Sequence, residues 1–286
     1  MLTDHAPLAA IFVQGLIDAG WDIGYDLGIE RRGGSTTGDR WGAAARELRA
    51  LPVNVIVAGD YAAARAAREA TDVIPIVAID VERDPIISGF ARSLTRPGGN
   101  VTGFFCDFGD AMTQLARALR EAVPSARHVV ALTDPETTDV QAHALREVSG
   151  ALGFDVDTLP SMTAPADALV DRVAAARAAL IVLSSPRTMA DAARLAKRAA
   201  LRKVASAGAF VRYAQAGGLL ARGPNLPDIF RRAAATADRL LRGASAADIP
   251  IERPPRFELV LNAKTAATLE LVLPPGLVSS ADYVVR

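Results

Sequence analysis

The 286-residue sequence holds a single cysteine, Cys106, which excludes an intrachain disulfide framework and a cysteine-cluster metal site. Its three histidines, His5, His128 and His143, show no HExxH-like spacing, so no metal is expected. Excess charge of either sign is missing too, because 32 basic residues offset 32 acidic ones. That balance excludes a nucleic-acid binder relying on a broad basic surface. No apolar run approaches the roughly 18 residues needed to cross a membrane, so direct membrane insertion is not expected. Enzyme signatures are absent: there is no Walker A sequence, no GxGxxG after the first strand and no GxSxG nucleophile elbow. The glycine-rich turn at residues 96–100 (Arg-Pro-Gly-Gly-Asn) precedes a strand rather than a helix, which makes it a poor phosphate cradle. No basic n-region, apolar h-region or cleavage site follows Met1, so no secretory signal is visible.

Hydrophobic residues make up 50% of the chain and charged residues 22%, enough apolar material for two cores and too much for extensive disorder. Alanine contributes 57 residues, which blurs helix boundaries because alanine suits a helix interior almost anywhere.

Strand-like and helix-like segments alternate along the chain. Helical periodicity marks residues 7–19, 39–51, 62–70 and 109–122, with Asp39 a plausible N-cap. Strand patterns fall at 27–31, 53–58, 74–79 and 101–103. The series then restarts, with strands at 128–132, 154–159, 180–183, 203–206 and 218–222 and helices at 138–152, 165–177, 188–201 and 226–241. A last strand covers 257–262 and a short helix follows from Ala263. Such alternation means βαβ units, parallel sheets and right-handed crossovers. The expected organisation is two doubly wound α/β lobes, 1–123 and 124–242, with a crossover tail at 243–286 that packs on hinge and lobes. The first stretch carries 12 basic and 16 acidic residues, a charge of −4, and the remainder 20 and 16, or +4.

In open α/β sheets ligands bind beyond the carboxyl ends of the strands. Reading those ends gives the candidate ligand residues Asp60, Tyr61, Asp84, Cys106, Asp107, Asp134, Thr137, Ser184, Ser185, Arg187, Gly208, Arg222 and Asn225. Carboxylates concentrate in the first lobe, small hydroxyls, glycines and two arginines in the second, with aromatic residues among them. This set suits a small zwitterion with a flat apolar body. For Asp84, Asp134, Thr137 and Ser185 the competing reading is helix capping. Phe104, Phe105 and Phe108 read as core or hinge packing. Cys106 has no matching histidine and reads as a small buried side chain. No catalytic residue and no cofactor is expected.

The segment at 93–103, Ser-Leu-Thr-Arg-Pro-Gly-Gly-Asn-Val-Thr-Gly, resembles one in a bacterial family of ABC-transporter substrate-binding proteins that includes tryptophan- and tyrosine-binding members. Further matches follow in order: Val-Asn-Val-Ile-Val-Ala at 53–58, Ile-Pro-Ile-Val at 74–77 before Asp84-Pro85, Gly-Gly-Leu at 217–219, Gly-Pro-Asn at 223–225, and Phe-Glu-Leu-Val-Leu-Asn at 257–262 before Lys264. The resemblance implies a type I periplasmic-binding-protein fold: two Rossmann-like lobes joined by a hinge, closing on a ligand in an interlobe cleft. It implies the solute-binding component of an importer, with ABC permease subunits as partners and a periplasmic location. A cytoplasmic ligand-sensing module of the same fold is the alternative. It places cleft loops at 59–62, around Asp84, at 106–107, 134–138, 184–185, 207–208 and 223–225. Two departures bear on the ligand. Relatives carry Gly-Thr or Gly-Ser where this chain has Gly59-Asp60, and amino-acid binders carry Asp near Asn225. A third departure is at the start: relatives have a strand before the helix at 7–19, and here that first strand is expected to be missing, leaving neighbouring edges unpaired.

Overall fold

A computed structural model of the chain describes residues 1–4, 6–33, 41–80, 83–135 and 138–286. Candidate Thr137 and the N-cap residue Asp39 lie outside the described residues. The chain divides into two units, Met1–Asp107 with Asn225–Pro255, and Phe108–Pro224 with Arg256–Arg286.

In the first unit the helices are α1 (Ala6–Asp18), α2 (Gly42–Ala50) and α3 (Tyr61–Ala70), and the strands β1 (Ile56–Ala58), β2 (Ile76–Asp80) and β3 (Val101–Phe105). The three strands form one parallel sheet in that order, with Ile56 opposite Ile76 and Ile76 opposite Val101. Ile56, Ile76 and Val101 are buried with Trp41, Leu48 and a bed of alanines from α2 and α3. Small side chains let these helices lie close on the sheet, so the alanine-rich composition is a packing solution as well as a helix former. Gly103 has φ +136°, and a Cβ there would stand 2.0 Å from the Ala78 carbonyl oxygen of the paired strand. Only glycine fits that register.

In the second unit the helices are α4 (Phe108–Ala122), α5 (Asp139–Leu152), α6 (Ala166–Ala175), α7 (Pro186–Ala190), α8 (Ala192–Leu201) and α9 (Arg212–Gln215), and the strands β4 (His128–Thr133), β5 (Asp155–Pro160), β6 (Ala179–Val182), β7 (Ser206–Gly208) and β8 (Leu220–Pro224). The chain then gives α10 (Leu226–Leu241) to the first unit, where it packs along α1 with Gly15 against Ala234. Residues 225–255 therefore count with the first unit, whereas the sequence pattern groups 226–241 with the helices before it. The second unit is completed by β9 (Phe257–Asn262), α11 (Ala263–Thr268), α12 (Pro275–Ser280) and β10 (Tyr283–Val285). Its seven-stranded sheet runs β10-β9-β8-β7-β6-β4-β5, parallel except that β9 is antiparallel to β8. That reversal is how the tail joins the sheet as an added edge.

The expected strand at 27–31 is not formed; residues 23–32 make only isolated bridges. The start of the chain differs from expectation in a more telling way. Leu2 bridges both Arg32 and Ala58, its amide donates to the Val57 carbonyl (2.8 Å), and the Gly59 amide donates back to Leu2 (2.9 Å). Met1–Thr3 thus covers part of the edge expected to be bare. Three residues are too few to show a strand period, which is why the pattern hid this pairing. Leu2 is fully buried and contributes about 2 kcal/mol by that burial.

Two outcomes follow. Gly103→Ala must push β2 and β3 apart, and urea unfolding is expected to show a loss of about 3 kcal/mol or more. The Met1 ammonium donates to the Glu30 carbonyl, and burial, helped by Arg32 and opposed by Glu30, lowers its pKa from 8.0 to about 6. An unfolded chain then binds this proton up to pH 8, but a folded one only up to about pH 6. Stability should therefore rise by about 2 kcal/mol between pH 6 and 8, and N-acetylation should flatten that rise.

Candidate functional site

The strand ends of the first unit present three loops. After β1, Asp60 is buried and extended, and its Oδ1 accepts from the Ala63 amide (2.7 Å), capping α3. Tyr61 follows as the first residue of that helix. Its ring lies 5.8 Å from Phe90, tilted by 36°, and the Arg83 guanidinium sits 4.6 Å from the ring centroid. After β2, Asp84 Oδ1 accepts from the Ile86 (2.7 Å) and Ile87 (3.4 Å) amides, closing an ordered turn. After β3, Cys106 is buried and Asp107 is half-exposed, 3.4 Å from an Arg253 guanidinium nitrogen. The Arg253 guanidinium also lies 5.8 Å from the Phe105 ring centroid, so this cation both stacks and pairs. Asn225 Oδ1 accepts from the Asp228 amide (3.0 Å) and caps α10.

The strand ends of the second unit are tied to the first turn of α5. Thr138 accepts from the Asp134 amide and donates to the Asp134 carbonyl, both at 2.9 Å, which closes the loop after β4. One turn on, Gln141 is fully buried and pairs with the Ser184 backbone in both senses, accepting from its amide (2.8 Å) and donating to its carbonyl (2.9 Å). One helix start thereby holds the loops that follow β4 and β6. Ser185 forms a capping box with Thr188, and Thr188 Oγ1 also donates to the Leu183 carbonyl (2.6 Å). Arg187 is exposed on α7. Gly208 ends β7 with no room for a side chain, since a Cβ would lie 2.5 Å from the buried Tyr213. Arg222, inside β8, is half-buried, and its Nε has no hydrogen-bond partner among the described residues. Burial lowers the Arg222 pKa, and Asp282 partly opposes the shift.

Within each unit the predicted residues fall on strand ends, but many carry the capping role weighed from the sequence. Asp60, Asp84, Ser185 and Asn225 each hold backbone amides. Tyr61 and Asp107 instead sit beside cationic side chains, and Arg222 carries an unsatisfied buried donor. Sequence reasoning placed Thr138 only within a cleft loop, by the resemblance, and missed Gln141, Thr188, Arg83 and Arg253. Ser185 and Thr188 were legible as the S-x-x-T spacing of a capping box. Thr138-x-x-Gln141 shows the same spacing, yet Thr138 turns back to Asp134 in its own loop, Gln141 reaches across to Ser184, and the helix start has no side-chain cap. Among the described residues no cluster of three metal-ligating side chains occurs, and no helix is long and apolar enough to cross a membrane.

A family model described as ABC transporter substrate binding protein matches residues 2–285. A tyrosine-binding protein of Clostridioides difficile (strain R20291) is 24% identical over 271 residues, covering 91% of this chain and 75% of that protein. The structure of an ABC domain in complex with L-Trp from Streptococcus pneumonia superposes with a TM-score of 0.88 at 19% identity, over 99% of this chain and 97% of that one. A conserved domain protein from Vibrio cholerae gives 0.89, also at 19% identity, with the same coverage of both chains. These likenesses show the fold, that of the type I periplasmic binding proteins.

The Gln141 pairing yields a direct test of the second unit's edge. Gln141→Leu keeps the volume but leaves the Ser184 amide and carbonyl buried and unpaired. Chemical denaturation should show a loss of about 2–4 kcal/mol.

Proposed function

This chain belongs to the ABC transporter substrate-binding protein family, and from that premise we propose that it binds an amino-acid-like or aromatic carboxylate ligand for import. The observation that carries this reading is the family match over nearly the whole chain, residues 2–285. Members of this family are ligand-binding transport proteins and not enzymes. They typically work outside the cytoplasm, and on our reading this one acts in the periplasm and hands its ligand to ABC permease subunits.

The ligand class is supported by two relatives, one named for tyrosine and one solved with L-Trp. Side-chain chemistry points the same way. Asp60 and Asn225 are engaged in capping, so Asp107 is our choice for the ligand ammonium. Tyr61, beside Phe90 and Arg83, offers aromatic surface to a flat apolar body. Arg222 offers a guanidinium with an unsatisfied donor, which a carboxylate would complete. Ser184, its backbone fixed by Gln141, offers a preorganised contact at the second unit's strand ends. Binding of this kind needs differential affinity between open and closed forms and no bond chemistry.

Isothermal titration of the full chain with L-tyrosine, L-tryptophan and related aromatic carboxylates tests this. Saturable binding is expected, with the ligand recovered chemically unchanged. Asp107→Asn and Arg222→Gln should each weaken it at least tenfold, about 1.4 kcal/mol. If no aromatic amino acid or carboxylate shifts the melting temperature, the ligand assignment fails.

A further inference from the structure

At the opposite edge of the second unit's sheet, where β4, β6 and β7 begin, lies a cavity of about 440 Å³. Arg127, His128, Arg177, Arg202 and Lys203 line it, and none of its lining residues is acidic. Carboxylates outside the lining meet part of this charge. Asp171 lies 3.1 Å from Arg202 and also pairs with Arg198, Glu270 lies 2.7 Å from Lys203, and Asp157 lies 2.8 Å from His128. One Arg127 nitrogen donates to the Pro124 carbonyl at 2.8 Å. Arg177 is exposed, and its guanidinium has no hydrogen-bond or ion-pair partner among the described residues.

The backbone at this edge shows where the cations come from. Arg177 follows α6 and Lys203 follows α8, each two residues past the last helical residue and in the left-handed conformation with φ +52°. The Arg177 amide donates to the Ala174 carbonyl and the Lys203 amide to the Ala200 carbonyl, the same helix-ending turn, which recurs after α11, where Glu270 (φ +58°) donates to the Ala267 carbonyl and its carboxylate pairs with Lys203. Glycine is the ordinary occupant of that position, and α5, α9 and α10 do end with Gly153, Gly217 and Gly243 at positive φ. Two of these helix ends thus carry a long cation where glycine would cost less, and both cations line the same cavity. Favourable interaction with the negative helix ends accounts for a cation near each terminus. It does not account for placing the cation on the strained residue, since neighbouring positions such as Arg172 and Arg198 already serve that end.

We propose that this basin is a binding site for a phosphate-bearing anion, separate from the strand-end edge and independent of the ligand assigned to it. A free phosphate compound and a phospholipid headgroup share that chemistry, and two arms of one experiment tell them apart. The first titrates inorganic pyrophosphate into the full-length chain. The second co-sediments the chain with phosphatidylcholine vesicles with and without phosphatidylglycerol. Arg177→Gly with Lys203→Gly removes two charges while relieving two left-handed residues. The double variant should melt no lower than the parent yet bind at least tenfold more weakly. Arg177→Gly alone, at an unpartnered side chain, should weaken binding at least threefold and keeps the test readable if the double variant misfolds. Binding in the pyrophosphate arm assigns a free anion, and binding only to the phosphatidylglycerol vesicles assigns a headgroup. Binding in neither arm, or equal binding by parent and Arg177→Gly, overturns the proposal.

Discussion

Each βα junction in this protein must satisfy one requirement: the chain leaves a buried parallel strand and must at once satisfy the free amides of a helix start. The solution recurs with different residues. Asp60 holds the Ala63 amide, Ser185 that of Thr188, Asn225 that of Asp228 and Asn262 that of Thr265. Each is a short polar side chain three residues before its partner, the geometry of an N-cap. The edges of both sheets take their shape from these bonds, because a loop held at its first helical turn cannot drift.

This requirement also explains what could be read from the sequence. Strand and helix alternation was legible because buried parallel strands are short apolar runs and the helices between them keep a 3.6-residue period. Cap residues were legible as residue types, but their roles were divided between capping and ligand contact. A carboxylate at a strand end has the same spelling whether it binds an amide or a guest. Gln141 was invisible for a different reason. Its partner, Ser184, is 43 residues away, and only the crossing of β4 and β6 brings the two together. Similarly, Leu2 finds Arg32 and Ala58 through long-range pairing that no local period encodes. The assignment of α10 to the first unit, beside α1, is non-local in the same sense.

Glycine usage separates the two ends of each sheet. Toward the strand ends, Gly103, Gly208 and Gly223 have no side chain because backbone or a buried ring already fills the space, at Ala78, Tyr213 and Phe210 respectively. Gly208 and Gly223 are packing glycines, whereas Gly103 serves both the close approach and its positive φ of +136°. Where helices α5, α9 and α10 end, glycine is instead a conformational choice, serving positive φ. Those two causes look identical in sequence.

The alanine-rich composition follows from the same geometry. A short parallel sheet covered by α2 and α3 leaves little depth, and Ala45, Ala63 and Ala67 are fully buried with almost no side chain to place. Shallow contacts of this kind contribute modest transfer energy each. The first unit's three-stranded sheet therefore relies on a few large anchors, with Trp41, Leu48, Ile56 and Ile76 among its most buried side chains. The second unit spreads its core over seven strands and a longer list of valines and leucines. The narrower sheet thus depends on fewer large side chains than the wider one.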